Sequence, residues 1–64
     1  MLTYQVAIFF TPDGDDRVYS DEYLTCADSI GAAVAKALAY FNKTHEDIGP
    51  IRVDSRLVVG EWLP

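Results

Sequence analysis

The sequence predicts a small α+β domain with the element order ββαβ, in which one helix packs across a mostly antiparallel sheet of three or four strands. Three observations predict this fold. An alternating apolar pattern opens the chain, which is typical of a β-strand. An alanine-rich segment repeats apolar side chains at helical spacing, and a second alternating segment follows it. Because the chain has only 64 residues, we expect a single domain over residues 1–64.

The first two strands are predicted to form a hairpin around the turn Thr11–Asp15. Pro12 sets φ at the first turn position, and Gly14 supplies the left-handed residue of a bulged hairpin. If the two ends of this turn pair with each other, Ile8 lies opposite Val18. The turn therefore predicts the register of the whole hairpin.

This register divides the hairpin side chains between a face that the helix covers and an open face. The covered face is expected to carry Leu2, Tyr4, Val6, Ile8, Phe10, Val18 and Leu24. The open face is expected to carry Thr3, Gln5, Ala7, Phe9, Arg17, Tyr19, Asp21 and Tyr23. Glu22 falls opposite Tyr4 among apolar side chains. Either it lies at the sheet margin, which we favour, or a bulge turns Tyr23 inward.

The helix is predicted over Asp28–Lys43, with Asp28 as the N-cap because its carboxylate accepts backbone N–H groups. Its apolar face carries Ile30, Ala33, Val34, Ala37, Leu38 and Phe41. The opposite side, the helix back, is a smooth surface of Ala32, Ala35 and Ala39. Alanine favours helix formation, and small side chains also let a second helix approach closely. The helix back is therefore one candidate seam for a dimer.

Residues 51–62 are predicted to form the last part of the sheet. One side of this segment carries Ile51, Val53, Leu57 and Val59, and the other carries Arg52, Asp54, Arg56, Val58 and Trp62. One long strand fits this alternation, and a break at Asp54-Ser55 into two short strands fits it as well.

Size and composition limit what the chain can be. Sixty-four residues lie near the lower limit for folding without disulfides, metals or a partner chain, so we expect a homodimer. The lone Cys26 cannot form an internal disulfide, and we expect it to be a buried thiol. The N-terminal segment lacks the pattern of a leader, and no apolar run is long enough to cross a bilayer. We therefore expect a soluble cytoplasmic protein without membrane contact.

The charge of the chain argues against direct binding of nucleic acid. The net charge is −5, and acids concentrate between residues 13 and 28, where only Arg17 offsets them. These acids are Asp13, Asp15, Asp16, Asp21, Glu22 and Asp28. We expect them to form a negative patch, which can also mimic DNA phosphates and occupy a nucleic-acid-binding protein.

The residue types that carry catalysis or metal binding occur without the context they need. The acidic turn 13–16 lacks the twelve-residue loop and the flanking helices of an EF-hand calcium site. His45 stands beside Glu46 and Asp47, but so small a chain offers little concave volume, and we expect these side chains to be exposed. We predict no enzyme activity, no cofactor and no metal site.

The main functional prediction concerns the sheet face that the helix leaves open. One helix covers one face of a small sheet, so the other face is expected to collect aromatic and arginine side chains. Tyr, Trp and Arg are enriched at binding hot spots, because they bury a large rigid area and keep a polar group. The predicted partner-binding residues are Phe9, Tyr19, Tyr23, Arg52, Arg56, Val58 and Trp62.

The order strand, acidic turn, strand, helix over residues 4–43 resembles in outline the HicB-like antitoxin domain. The resemblance runs from Tyr4-Gln5-Val6-Ala7-Ile8 to Ala33-Val34-Ala35-Lys36-Ala37-Leu38. The proline-rich segment usual before that family's helix is replaced here by Thr25-Cys26-Ala27-Asp28.

We predict a small acidic protein-binding module, an inhibitor or regulator that acts by occluding a surface through the open sheet face. The alternative is an antitoxin-like or DNA-mimic inhibitor that uses the acidic segment 13–28. A small enzyme or ligand-binding protein is the least favoured alternative.

Overall fold

The structure, a computed structural model, describes residues 2–58, which form three strands and one helix. The elements are β1 (Leu2–Phe10), β2 (Tyr19–Ala27), α1 (Ile30–Thr44) and β3 (Pro50–Val58). β1 lies in the centre of the sheet, and both neighbours run antiparallel to it, in the order β2-β1-β3. The predicted α+β fold of order ββαβ is confirmed. Up to Val58 the C-terminal segment is one strand, and the predicted positions of Val59 and Trp62 lie outside the described residues.

The core forms where α1 packs on the alternating side chains of β1. Tyr4, Val6, Ile8 and Phe10 are buried, as the alternation in the sequence predicts. The remaining buried apolar side chains are Ala27, Ala33, Ala37 and Phe41. Because small alanines face the sheet in the middle of the helix, α1 can lie close to the strands, and Phe41 fills the space at its C-terminal end.

The N-cap and the last residue of the helix each lie one residue later than predicted. Its N-cap is Ser29, whose backbone is extended and whose Oγ accepts a hydrogen bond from the Ala32 N–H at 3.2 Å. The predicted N-cap, Asp28, lies one residue before the cap, so that prediction is wrong. At the other end, the His45 N–H donates to the Phe41 carbonyl at 2.8 Å and closes the last turn.

The helix is fastened to β2 by three side-chain contacts. The Lys36 ammonium donates to the Cys26 carbonyl at 2.7 Å, and the Tyr40 ring stacks on Tyr23 with centroids 6.5 Å apart. At the C-cap, His45 Nε2 lies 2.6 Å from an oxygen of the Asp21 carboxylate. These contacts hold α1 over β1 and β2.

The turn contains the predicted left-handed Gly14, but it lies one residue later than predicted, with Asp13 and Gly14 at its centre, and the predicted register is wrong. Asp15 N–H donates to the Pro12 carbonyl at 3.1 Å, and Gly14 has φ +80°. Ile8, however, pairs with Asp21, three positions beyond the predicted Val18, because β2 starts only at Tyr19.

The side chain of Asp15 explains why the loop is longer than the turn. One carboxylate oxygen accepts the Arg17 N–H at 2.9 Å, and the other accepts the Tyr19 hydroxyl at 2.9 Å. These bonds hold the chain in an irregular path beyond the turn. Since a shift by an odd number of residues exchanges the two faces of a strand, every face prediction for β2 is reversed. Glu22 therefore lies on the open face, and neither the sheet margin nor a bulge is needed to place it.

Candidate binding face

The open face is the side of the sheet opposite α1. In the order β2, β1, β3, its four cross-strand rows are Ser20, Phe9 and Arg52; Glu22, Ala7 and Asp54; Leu24, Gln5 and Arg56; and Cys26, Thr3 and Val58. No element within residues 2–58 covers this face. It carries two acids and two bases, so it is electrically balanced although the whole chain is acidic.

A hydrogen-bonded row of three side chains, Glu22, Gln5 and Arg56, crosses all three strands at the centre of the open face. It runs diagonally, because Glu22 lies in the cross-strand row next to that of Gln5 and Arg56. Gln5 Nε2 donates to the Glu22 carboxylate at 2.9 Å, and Arg56 Nε donates to Gln5 Oε1 at 2.9 Å. The amide of Gln5 thus receives from the base and donates to the acid, which fixes its orientation. Beside this row, a depression of about 220 Å³ lies over the small side chain of Ala7.

A second cluster places a cation over an aromatic ring. The Arg52 guanidinium lies 4.9 Å from the centre of the Phe9 ring, and its Nη2 donates to the Asp54 carboxylate at 2.6 Å. The hydrogen bond from Arg52 lowers the pKa of Asp54, and the same bond raises the pKa of Arg52. Both groups therefore keep their charge across the physiological range.

The apolar part of the open face lies at the end of the sheet away from Phe9 and Arg52. Leu24 is 60% exposed, and Val58 is half-buried on the opposite edge strand. A depression of about 450 Å³ runs between them, with Gln5, Glu22 and Arg56 in its lining. Surfaces that bind other proteins combine apolar side chains with charged and polar ones, and this face carries both.

The structure brings together part of the predicted partner-binding set. Phe9, Arg52, Arg56 and Val58 share the open face, as predicted. Trp62 lies outside the described residues.

Tyr19 and Tyr23 do not lie on the open face, because the register shift turns both towards the helix. Tyr19 stacks on Phe10, with ring centroids 6.0 Å apart. Tyr23 contacts the core, and burial raises the pKa of its hydroxyl, with the Asp21 carboxylate as the next cause. These two placements in the prediction are wrong.

Leu24 takes the place of the tyrosines on the open face, and the prediction missed it. The sequence did contain a signal, which is the position of Glu22. A carboxylate is costly on a core face, so the register that exposes Glu22 is favoured. That register also exposes Leu24 and buries Tyr23.

Two further predictions are corrected by the register and the tertiary contacts. Cys26 is exposed on the open face rather than buried, with its Sγ 3.6 Å from the Thr3 hydroxyl. His45 is half-buried rather than exposed, because its ring packs against Phe10 and Phe41, each with centroids 4.7 Å from it. Neither depression described above lies at His45.

The acidic segment does not form one negative patch. Asp13, Asp15 and Asp16 lie in the hairpin loop, and Asp28 lies beyond the other end of β2. A nine-residue strand separates these ends by roughly 30 Å. Between them, Asp21 faces the helix and Glu22 the open face, because successive side chains of a strand point to opposite sides. The helix back, Ala32, Ala35 and Ala39, is exposed.

Comparison of the chain with protein-family models, with curated proteins and with solved structures found no match. In the part of the chain that the structure describes, no helix is long and apolar enough to cross a membrane. The same residues contain no cluster of three or more histidine, cysteine or acidic side chains arranged to hold a metal ion.

Proposed function

We propose that this chain is a small protein-binding module that acts as an inhibitor or regulator by occluding a surface of its partner. The open face is the binding surface. The observation that carries the proposal is the combination of exposed Leu24 with the ordered row Glu22–Gln5–Arg56 on a face that nothing else in residues 2–58 covers.

The order of this row supports binding rather than random exposure. Side chains that already hold their bound conformation lose less entropy when a partner docks. Gln5 and Arg56 are held by hydrogen bonds, and Arg52 is held between Phe9 and Asp54. Arginine and aromatic side chains are also the types that contribute most at interface hot spots.

The charge balance favours a protein partner over a nucleic acid. A phosphate backbone requires an excess of basic side chains, and the open face pairs each of its arginines with an acceptor. A protein surface is complementary to this pattern if it sets charges of both signs against the row and apolar side chains against Leu24 and Val58. We place the module in the cytoplasm, where the exposed thiol of Cys26 would stay reduced.

The proposal is tested by affinity capture from the source cells with matched surface variants. Leu24→Asp and Arg56→Ala alter the open face, whereas Ala35→Asp places the same new charge on the helix back. We expect wild type and Ala35→Asp to capture the same protein. Leu24→Asp should capture at least tenfold less of it. Circular dichroism of each variant checks the fold.

The captured protein is then purified, and its affinity for each variant is measured directly. If Ala35→Asp weakens binding while Leu24→Asp and Arg56→Ala do not, the binding surface is the helix back and the proposal is wrong. The proposal is equally wrong if no captured protein distinguishes the folded variants.

A further inference from the structure

The two edges of the sheet differ in how well the helix covers them. The β2 edge lies beside the side chains that hold α1 against the sheet, and its Cys26 carbonyl accepts a hydrogen bond from Lys36. On the β3 edge, Leu57 is 46% exposed, Ile51 is 61% exposed and Val53 is only partly buried. Within residues 2–58, β3 therefore combines the unpaired backbone of an edge strand with apolar side chains that the helix leaves in solvent.

We propose that the β3 edge binds a second copy of this chain, so that two three-stranded sheets join into one six-stranded antiparallel sheet. The proposal concerns the backbone edge of β3, which borders the open face and shares Asp54 and Arg56 with it, and it does not rest on the function proposed above. A two-fold axis through Ser55, near the middle of β3, relates the two copies.

Charge complementarity along β3 favours this register. With Ser55 opposite Ser55 of the second copy, Asp54 lies opposite Arg56, and the two-fold axis repeats the pair. On the helix side of the sheet, Val53 of each copy lies opposite Leu57 of the other. Arg56 donates to Gln5 through Nε, so its terminal amino groups face no competing bond in residues 2–58.

The neighbouring registers that keep the same faces together are less favourable. A two-fold axis through Asp54 places that carboxylate opposite itself and Arg52 opposite Arg56, so like charges meet at every charged pair. An axis through Val53 also places Arg52 opposite Asp54, but it pairs Ile51 with Ser55 and brings Pro50 into the ladder, where it cannot donate a hydrogen bond. Of these registers, the axis through Ser55 combines opposite charges with the apolar pair Val53–Leu57 and keeps Pro50 outside the paired residues 52–58.

The β2 edge does not offer the same complementarity. β2 carries Asp21 and Glu22 but no basic residue, so two copies of β2 cannot form an ion pair with each other. Among the described strands, β3 is therefore the edge suited to self-association. Joining through β3 also puts both helices on one side of the sheet and continues the open face across the two copies.

A charge-swap experiment tests the register. Asp54→Arg gives a chain with only basic residues at positions 54 and 56, and Arg56→Asp gives a chain with only acids there. We expect wild type to be a dimer by sedimentation equilibrium, and each variant alone to associate roughly ten- to a hundredfold more weakly. An equimolar mixture of the two variants should recover the dimer, because every opposed pair is then oppositely charged. Asp28→Arg is the control for net charge and should leave the dimer intact.

Disulfide trapping distinguishes this edge from a dimer formed through the open face. Ser55 lies on the helix side, and opposite residues of antiparallel strands have Cα atoms about 4.5–5.5 Å apart, within the range of a disulfide. In a Cys26→Ser background, Ser55→Cys should form a covalent dimer under mild oxidation. Asp54→Cys in the same background should not, because the equivalent Cα atoms lie about 7–8 Å apart.

The inference is overturned if wild type is monomeric at the highest concentration at which it stays in solution. It is also overturned if the mixed variants fail to associate although both are folded, or if Ser55→Cys gives no more covalent dimer than Asp54→Cys. Should the charge variants not fold, the trapping experiment alone decides. Partner binding and dimer formation are measured separately. Retained partner binding by Leu24→Asp would contradict the proposed function and leave the dimer inference standing, whereas a monomeric wild type would contradict only the dimer inference.

Discussion

His45 Nε2 lies 2.6 Å from the carboxylate of Asp21, although the two residues are 24 positions apart in the chain. The contact joins the C-cap of α1 to β2, and the imidazole is enclosed on its sides by Phe10 and Phe41. The side chains of both residues are partly shielded from water, with 23% and 35% of their surface exposed. A hydrogen bond in such a site is stronger than one at a fully exposed pair.

We expect His45 and Asp21 to be energetically coupled. A double-mutant cycle with His45→Ala, Asp21→Ala and the double variant should give a coupling energy of about 0.5–1.5 kcal/mol in urea unfolding. Protein concentration is held constant, since any self-association shifts the midpoint. In the control cycle, Glu46→Ala replaces Asp21→Ala. The contact is contradicted if the effects of His45→Ala and Asp21→Ala are additive, or if His45 couples as strongly to Glu46 as to Asp21.

The start of the helix gives a second prediction, because sequence and structure name different N-caps. Ser29→Ala removes the acceptor of the Ala32 N–H and should lower the free energy of unfolding by about 1 kcal/mol. Asp28→Ala removes a carboxylate near the same helix end and should cost less, about 0.5 kcal/mol or below. Denaturant melts of the two variants check the order, and a larger loss for Asp28→Ala would restore the prediction made from the sequence.

The interior of the sheet predicts a contrast between two isoleucines. Ile8 is fully buried on the central strand, so Ile8→Val should lower the free energy of unfolding by about 0.5–1.5 kcal/mol. Ile30 begins the helix and is 45% exposed. Ile30→Val should therefore change the free energy of unfolding by less than about 0.5 kcal/mol. Equal losses at both positions would show that Ile8 does not occupy the core.

The sequence predicted those elements in which one face is clearly apolar. β1 alternates strictly, the helix repeats small and large apolar residues at helical spacing, and β3 separates Val53 and Leu57 from Arg52 and Arg56. For these elements, burial alone decides which side faces the core. The faces of β1 and β3, and with them four of the predicted site residues, could therefore be predicted.

The faces of β2 could not be predicted in the same way, because both of its sides mix polar and apolar residues. Its register depends on the Asp15 side chain, whose bonds to Arg17 and Tyr19 extend the loop beyond the turn. Local turn chemistry identifies the turn but not the residue at which pairing resumes. The contact between His45 and Asp21 depends on that register, so sequence patterns could not predict it either.

The bonds of Asp15 predict a pH dependence of the hairpin loop. The Arg17 backbone N–H, followed by the Tyr19 hydroxyl, lowers the pKa of this carboxyl below its ordinary value of 3.8. Since the folded-state pKa is the lower one, the charged carboxylate stabilises the fold above the unfolded pKa, and this contribution is lost as the pH falls through the folded pKa. An NMR titration of the Asp15 carboxyl carbon should therefore give a midpoint below 3.8.

Removing one of these donors should move the midpoint in a known direction. Tyr19→Phe deletes the hydroxyl that lies 2.9 Å from Asp15, so the pKa of Asp15 should rise towards 3.8 while the Arg17 N–H still keeps it below that value. Tyr40→Phe deletes a tyrosine hydroxyl on the helix and should leave the midpoint unchanged. If Tyr19→Phe has no effect on the Asp15 midpoint, the hydrogen bond that holds the start of β2 in this register is absent in solution.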